Sequence, residues 1–96
     1  MKPSEALAAH RDELRELVSR YGLTRPRVYG SVLSHTDTEV SDLDLLVEAT
    51  ENTTLFTLVR LERAAQELLG VRVSVLTPGF LPEKFRARVP ALAEPL

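Results

Sequence analysis

Two stretches of the sequence decide the fold: Val28-Tyr29-Gly30-Ser31 and, ten residues further on, Asp42-Leu43-Asp44-Leu45-Leu46-Val47-Glu48. The first is short and β-prone and ends at a Gly-Ser pair, where the missing glycine Cβ permits a tight turn or the close approach of a ligand. The second predicts a strand with a buried apolar centre. Because side chains alternate along a strand, Asp42 and Asp44 share one face, with α-carbons about 6 to 7 Å apart. The chain is therefore expected to place two carboxylates beside a Gly-Ser turn.

Helical patterns flank this strand–turn–strand unit. Apolar residues at three- and four-residue spacing predict an amphipathic helix from Glu5 to Tyr21, with Ser4 as its N-cap, and a second helix from Leu55 to Leu69. β-Branched residues predict a third strand over Val71 to Leu76, and a last short helix is expected from Pro82 to Val89. The predicted order is α-β-β-α-β-α, which is an α/β (α+β) chain.

The composition is typical of one globular domain, residues 1–96, with 44% hydrophobic and 27% charged residues, and we expect residues 90–96 to form a flexible tail. A formal net charge of −2 gives no electrostatic reason to expect direct nucleic-acid binding. The lack of cysteine excludes a disulfide framework and any thiolate metal site. No apolar run is long enough to cross a bilayer and the N-terminus does not resemble a secretory signal, so we expect a cytoplasmic protein without membrane contact.

The paired aspartates indicate a metal site. Aspartate is uncommon in strands, and two carboxylates on one face repel each other unless a cation or a proton compensates them. Hard oxygen ligands in small number suit Mg²⁺, which completes its coordination with water and phosphate oxygens. Gly30 and Ser31 offer backbone N–H groups and a hydroxyl that can approach a phosphate. A phosphate cradle opposite a metal clamp is what phosphoryl or nucleotidyl transfer requires.

Gly30-Ser31, ten residues and Asp42-Leu43-Asp44 together resemble the Gly-Ser-x10-Asp-x-Asp signature of the polymerase-beta nucleotidyltransferase superfamily. The flanking residues are similar to its minimal nucleotidyltransferase branch, called MNT, and the likeness extends through Val73 to Pro78. The resemblance implies the polymerase-beta-like nucleotidyltransferase fold, with a small mixed β-sheet of about three strands and helices packed on one face.

The resemblance also implies an activity and a partner. Many members of this branch are antitoxins paired with a helical HEPN-type ribonuclease toxin, and they are implied to use ATP and Mg²⁺ to transfer AMP to a tyrosine hydroxyl of the toxin. Carried over to this chain, Gly30 and Ser31 would hold the nucleotide triphosphate. Asp42 and Asp44 would be the catalytic residues and would bind one or two magnesium ions.

The sequence departs from the family pattern at the third carboxylate. The family carries an Asp in the strand where this chain has Ser74, within Val73-Ser74-Val75-Leu76-Thr77-Pro78. A neutral hydroxyl cannot take a proton from an attacking hydroxyl and is a poorer ligand for a second metal. Asp37 or Glu39, in the polar loop before the motif, could fold back as a substitute, whereas Glu48 lies too far along its strand.

A second departure follows Gly30-Ser31, where many relatives carry a small residue, then Arg and Gly. This chain has Leu33-Ser34-His35 at that place, so a phosphate-binding cation is missing. His35 is a partial replacement, since an imidazolium can donate to phosphate, or it is simply a solvated loop residue. Arg27, Arg72 and Lys84 are other candidates for this cation.

Three functions remain open at this point. The first is an enzyme, a minimal nucleotidyltransferase that acts as an antitoxin. The second is a binding module that keeps the fold but neutralises its partner by contact, because Ser74 has removed the base. The third is a regulatory nucleotide-binding domain unconnected with a toxin. For the residues themselves, the simpler alternatives are a solvated turn at Asp42 and Asp44 and a helix N-cap at Ser31, the latter being compatible with phosphate binding.

Overall fold

The computed structural model describes residues 1–80 and 93–96 of the chain. Its helices and strands follow the predicted order over most of this length and add a final short strand. They are α1 (Pro3–Arg20), β1 (Thr24–Tyr29), β2 (Leu43–Glu48), α2 (Leu55–Leu69), β3 (Val73–Leu76) and β4 (Glu94–Pro95), with a turn of 3₁₀-helix at Pro78–Phe80. The predicted helix from Pro82 to Val89 lies outside the described residues.

The strands form one mixed sheet in the order β3-β2-β1-β4. β1 pairs antiparallel with both β2 and β4, while β2 and β3 are parallel. This confirms the predicted mixed α/β fold, but the sheet has four strands where about three were expected. The parallel pairing follows from the chain path, because α2 carries the chain back along the sheet before β3 begins.

One face of the sheet packs against both helices. Alternate residues of the strands point to this face, and the helices contribute apolar residues at three- and four-residue spacing. The resulting core includes Ala6, Leu7, Leu14 and Val18 from α1, Leu58, Leu61, Ala65 and Leu69 from α2, and Val28, Leu43, Leu45, Val47, Val73 and Val75 from the strands. The predicted packing of helices on one face is thus confirmed. The opposite face carries polar residues of the strands, among them Arg27, Asp44 and Ser74, together with the fully buried Leu46.

The start of α1 differs from the prediction that Ser4 caps the helix. The helix begins earlier, with Lys2 as N-cap and Pro3 at the first helical position, which suits proline because no N–H is needed there. The Ser4 N–H group instead donates a hydrogen bond to Asp37 Oδ2 at 2.9 Å. The start of the helix is therefore capped by two carboxylates: Asp37 from a distant loop, and Glu5 of the helix itself, which accepts a hydrogen bond from the Lys2 N–H at 3.0 Å.

The end of the chain also differs from prediction. We expected residues 90–96 to be a flexible tail, but Glu94 and Pro95 pair with Val28 and Arg27 of β1, and the Leu96 N–H donates to the Pro26 carbonyl at 3.1 Å. No helix within residues 1–80 and 93–96 is long and apolar enough to cross a membrane.

β3 forms the other edge of this sheet, and side chains of α2 satisfy its outward N–H groups. The Val75 N–H donates to Glu62 Oε2 at 3.1 Å and the Val73 N–H donates to Gln66 Oε1 at 3.4 Å. These contacts tie the edge strand to the helix that precedes it.

Candidate active site

Gly30 ends β1 in a conformation that only glycine adopts easily, with φ at +78°. A Cβ atom at this position would lie 2.4 Å from Asp44 Oδ2, far inside van der Waals contact. A glycine at position 30 is therefore needed for the conformation of its own turn and also for the packing of β2 beside it. It provides the space in which the Asp44 carboxylate lies, and any larger residue at position 30 would collide with that carboxylate.

The chain after Gly30 folds into a series of turns rather than a helix, so the alternative of Ser31 as a helix N-cap is not what the structure shows. The Ser34 N–H donates to the Gly30 carbonyl at 3.1 Å, and the Thr36 N–H donates to the Ser31 carbonyl at 2.9 Å. Because the first of these bonds closes one helical turn, the N–H groups of residues 31–33 have no acceptor inside it, as in the first turn of a helix. Such a run of N–H groups can bind an anion.

Asp42 and Asp44 come together at the start of β2. The strand begins at Leu43, so Asp42 lies just before it rather than inside it as predicted. Burial, and then the charge of Asp42, raise the pKa of Asp44 above its ordinary value. A carboxylate that is half-buried beside a second carboxylate is a site for a cation, because a bound cation offsets the cost of its negative charge.

Asp44 lies in a row of polar residues that crosses three strands. In the sheet register it faces Tyr29 of β1 on one side and Ser74 of β3 on the other. Burial and the charge of Asp44 raise the pKa of Tyr29 to about 12, so this hydroxyl stays neutral near pH 7. Ser74, half-buried, thus occupies the position next to Asp44 on the adjacent strand.

Arg72 approaches the carboxylates from the segment before β3. Its Nε atom lies 3.0 Å from Asp42 Oδ1, although its side chain is 70% exposed. This contact lacks hydrogen-bond geometry, since Asp42 Oδ1 is shielded from solvent and has no hydrogen-bond partner among the described residues. The Arg72 Nη2 group donates instead to the Val40 carbonyl at 2.9 Å. Asp42 therefore has a counter-charge but no donor directed at its buried oxygen.

The other acidic residues considered from the sequence have partners away from this site. Asp37 accepts from the Ser4 N–H, which with other local hydrogen bonds lowers the pKa of Asp37, and Glu39 lies 3.8 Å from the N-terminal amino group. Glu48 Oε1 accepts a hydrogen bond from Arg27 Nη2 at 2.8 Å at the far end of β2. The structure therefore does not bring Asp37, Glu39 or Glu48 to the aspartate pair.

His35 belongs to a different part of the surface. It is exposed, with φ at +59°, and it lines a cleft of about 240 Å³ together with Ser4 and Arg11 of α1. Gly30, Ser31, Asp42 and Asp44 do not line this cleft. Of the other suggested cations, Arg27 is buried against Glu48, and Lys84 lies outside the described residues. Only Arg72, among the described candidates, is in contact with the aspartate pair.

The residues present fit one hard divalent cation that completes its coordination with substrate oxygens. Their donors are carboxylate oxygens, and one of them, Asp42 Oδ1, is shielded and not hydrogen-bonded. Within residues 1–80 and 93–96, no three or more His, Cys, Asp or Glu side chains gather into a possible metal cage. Mg²⁺ is commonly held by one or two carboxylates and the phosphates of a substrate rather than by a full protein cage.

Comparison with known proteins identifies the family of this chain. The family model described as "Nucleotidyltransferase domain" matches residues 7–92 of the chain. A protein of Thermococcus cleftensis named protein adenylyltransferase MntA is 39% identical over 70 residues, which is 73% of this chain and 68% of that protein. A "putative protein adenylyltransferase" of Methanocaldococcus jannaschii is 39% identical over 61 residues, covering 64% of this chain and 66% of the relative.

Two solved structures share the fold. One, described as "Structure of putative minimal nucleotidyltransferase", superposes with a TM-score of 0.87 at 42% identity over 97% of this chain and 95% of the other. The second is a toxin–antitoxin structure with AMP-PNP, with a TM-score of 0.76 at 16% identity over 88% of this chain and 69% of that one. This chain belongs to the nucleotidyltransferase domain family, and by that resemblance it is a transferase of the minimal nucleotidyltransferase kind.

Proposed function

We propose that this protein transfers AMP from ATP to a hydroxyl group of a partner protein, and that it is the antitoxin of a toxin–antitoxin pair with a HEPN-type toxin. The observation that carries the proposal is the fit of Gly30 against Asp44, because it joins a phosphate-binding turn to a carboxylate pair within one site. The turn alone, or the carboxylate pair alone, would be a weak indication of nucleotidyl transfer. Their contact is what nucleotidyl transfer requires.

The names of the relatives support the choice of acceptor and partner. Two relatives are named as protein adenylyltransferases, which indicates AMP transfer to a protein. The toxin–antitoxin structure with AMP-PNP is only 16% identical to this chain, so the likeness itself shows a shared fold and nothing more. What that structure contains supports a toxin as the proposed partner and an adenine nucleotide as the proposed substrate. The HEPN character of the toxin rests on the resemblance of the sequence motifs.

Each residue of the site has a role in this proposal. The N–H groups of residues 31–33 hold the triphosphate, and the Ser31 hydroxyl supplements them. Asp42 and Asp44 hold the divalent metal, which neutralises charge on the phosphates when it is bound. The acceptor oxygen forms a bond to the α-phosphorus as the bond from that phosphorus to the bridging oxygen breaks, and pyrophosphate leaves. The proton of the acceptor passes to solvent, because the Ser74 hydroxyl is not a base and Asp37, Glu39 and Glu48 have partners away from the site.

The test uses ATP labelled at the α-phosphate, Mg²⁺, the purified protein and its candidate HEPN partner. Label on the partner that is lost in Asp42→Asn/Asp44→Asn would support the transferase. Ser74→Asp should then increase the rate, because it restores a base and a metal ligand, whereas the matched Ser74→Ala should not. Absence of label with the unmodified protein, at enzyme concentrations equal to the partner, contradicts the proposal.

A second function is favoured by the position of Ser74. This neutral residue stands beside Asp44 in the sheet, and Asp37, Glu39 and Glu48 all have other partners. In this alternative the protein keeps the site for binding and neutralises its partner by contact. Transfer that appears only with Ser74→Asp, together with tight binding of the partner by the unmodified protein, would support it.

A further inference from the structure

Arg72 is held firmly by its backbone but loosely by its side chain. The Arg72 carbonyl accepts a hydrogen bond at 2.8 Å from the N–H of Leu43, the residue between the two aspartates. The side chain passes over the loop before β2, where it reaches the Val40 carbonyl, and it remains 70% exposed. The position of the residue at the site is thus fixed by the sheet, while its guanidinium is free to change partners at little cost.

The contact between Arg72 and Asp42 is a charge pair that a metal can replace. Asp42 Oδ1 lies 3.0 Å from Arg72 Nε, yet it accepts no hydrogen bond from any described residue. A divalent cation carries twice the charge of a guanidinium and binds carboxylate oxygen more closely. Both cations need the same oxygen, so they exclude each other from it.

A displaced guanidinium would find a second anionic partner beside the site. The loop of residues 32–41 contains no arginine or lysine, and its only histidine, His35, lies at a separate cleft. A triphosphate held between residues 31–33 and the metal would carry its charge next to the aspartates. Arginine is well suited to phosphate oxygens because its donors are arranged in a planar fork.

We propose that Arg72 is a positioning residue with two partners: it neutralises Asp42 while the metal is absent, and it moves to the β- and γ-phosphates of the nucleotide when the metal binds. Arg72 thus supplies, from the segment before β3, a cation that the loop after Gly30-Ser31 does not contain. This inference names a nucleotide-positioning residue for the proposed function and rests on it.

The test measures binding rather than transfer, and it compares Arg72→Met and Arg72→Lys with the unmodified protein. Mn²⁺ alone, followed by electron paramagnetic resonance, should bind several-fold more tightly to Arg72→Met, since the competing charge is gone. A purely structural role predicts the opposite sign, because a disturbed site binds metal more weakly. A non-hydrolysable ATP analogue with Mg²⁺ should bind roughly tenfold more weakly to Arg72→Met, AMP should bind almost equally well, and Arg72→Lys should be intermediate.

The matched control is Arg60→Met, which removes the same charge from an exposed position on α2. It should leave the affinities for Mn²⁺ and for the ATP analogue unchanged. Unchanged or weaker Mn²⁺ binding by Arg72→Met, or an equal loss of affinity for AMP and the ATP analogue, overturns the inference. If the unmodified protein binds metal and nucleotide as described but transfers nothing to its partner, the proposed function fails while the role of Arg72 stands.

Discussion

The two ends of β2 each carry a carboxylate paired with an arginine, but the pairs differ in kind. At the far end, Arg27 is buried, with 8% of its side chain exposed, and it donates a hydrogen bond to Glu48 at 2.8 Å. At the near end, Arg72 is 70% exposed and lies against an Asp42 oxygen that accepts no hydrogen bond within the described chain. The Arg27–Glu48 pair is therefore a stable part of the fold, whereas a ligand can displace Arg72 from Asp42.

This difference shows how one strand can combine stability with a binding site. A buried ion pair is costly to break because each charge left behind loses its compensation. An exposed pair contributes little to stability and is easily replaced. The strand is therefore anchored at the Glu48 end, while the Asp42 end keeps charges that a ligand can use.

The largest effect is expected from Asp42→Asn/Asp44→Asn. Removing both negative charges removes the metal, so transfer should fall on the order of 10³-fold or more. The measurement is the single-turnover rate with labelled ATP and saturating partner. The fold should survive, and circular dichroism would verify this. Retention of a rate within tenfold of the unmodified protein would place the metal elsewhere.

Gly30→Ala should have the next largest effect. The new methyl group would lie 2.4 Å from Asp44 Oδ2 and would force the carboxylate to move, so both Mn²⁺ affinity and transfer should fall by about 100-fold. Gly22→Ala is the matched control, because its φ is also positive, at +76°, and nothing lies within 4 Å of the added Cβ. It should cost about 1 kcal/mol of stability and leave metal binding intact. Equal loss of metal affinity in both variants would show that backbone strain alone is responsible.

Glu48→Ala tests the contribution of the Arg27–Glu48 pair to stability. It leaves the buried Arg27 guanidinium without its carboxylate, so the free energy of unfolding should fall by about 2 kcal/mol, less than for a fully buried pair because Glu48 is 34% exposed. Urea denaturation gives this value, and Mn²⁺ affinity should not change. Glu51→Ala, at an exposed loop position, is the control and should have almost no effect on unfolding. Similar stabilities for the two variants would mean that the two ends of β2 do not differ.

The stability of the metal-free protein should depend on pH. This effect is smaller, and its direction follows from the raised pKa of Asp44. The pKa of Asp44 is raised in the folded state, so the folded protein binds a proton more readily than the unfolded chain. Stability should therefore fall as pH rises from the ordinary pKa of an aspartate through the raised pKa of Asp44. Urea denaturation across this range should show the decline, and Asp44→Asn should reduce it and be more stable at pH 7. Added Mg²⁺ should also offset the decline, because it favours the ionised carboxylate.

The smallest effect is expected from Asp37→Asn. The Asp37 carboxylate accepts a hydrogen bond from the Ser4 N–H, and its lowered pKa means that this contribution to stability is lost as pH falls through that pKa. The variant should show slightly lower stability at pH 7, seen as a lower thermal midpoint, and an unchanged transfer rate. A large loss of transfer would instead identify Asp37 as the missing third carboxylate.

Much of the site could be predicted because its residues are close in sequence. Gly30 and Ser31 follow directly after β1, and Asp42 and Asp44 lie at the start of the adjacent strand β2, so the local pattern alone placed them near one another. Strand alternation applies only in part, because Asp42 precedes the strand. The position of Ser74 followed from the third strand, although its pairing with Asp44 required the parallel register. The roles of these residues in catalysis remain predictions.

The contacts that could not be predicted join residues far apart in sequence. Asp37 caps α1 from 33 positions away, and nothing in the local pattern distinguishes it from a solvated loop residue. The start of α1 could have been found, since Pro3 is typical of a first helical position. Arg72 was one of four possible cations, with His35, Arg27 and Lys84, and only the structure places it at Asp42. β4 is two residues long and pairs with a distant strand, so no periodicity could indicate it.

The contacts of Glu62 and Gln66 with β3 bear on how the protein behaves at high concentration. An open edge strand offers its N–H groups to the edge of another molecule, and sheets can then extend from one copy to the next. Here the two outward N–H groups of Val73 and Val75 are already occupied by side chains of α2. At the edge nearest the candidate active site these two N–H groups are therefore unavailable to a strand of another copy, which disfavours edge-to-edge pairing through them.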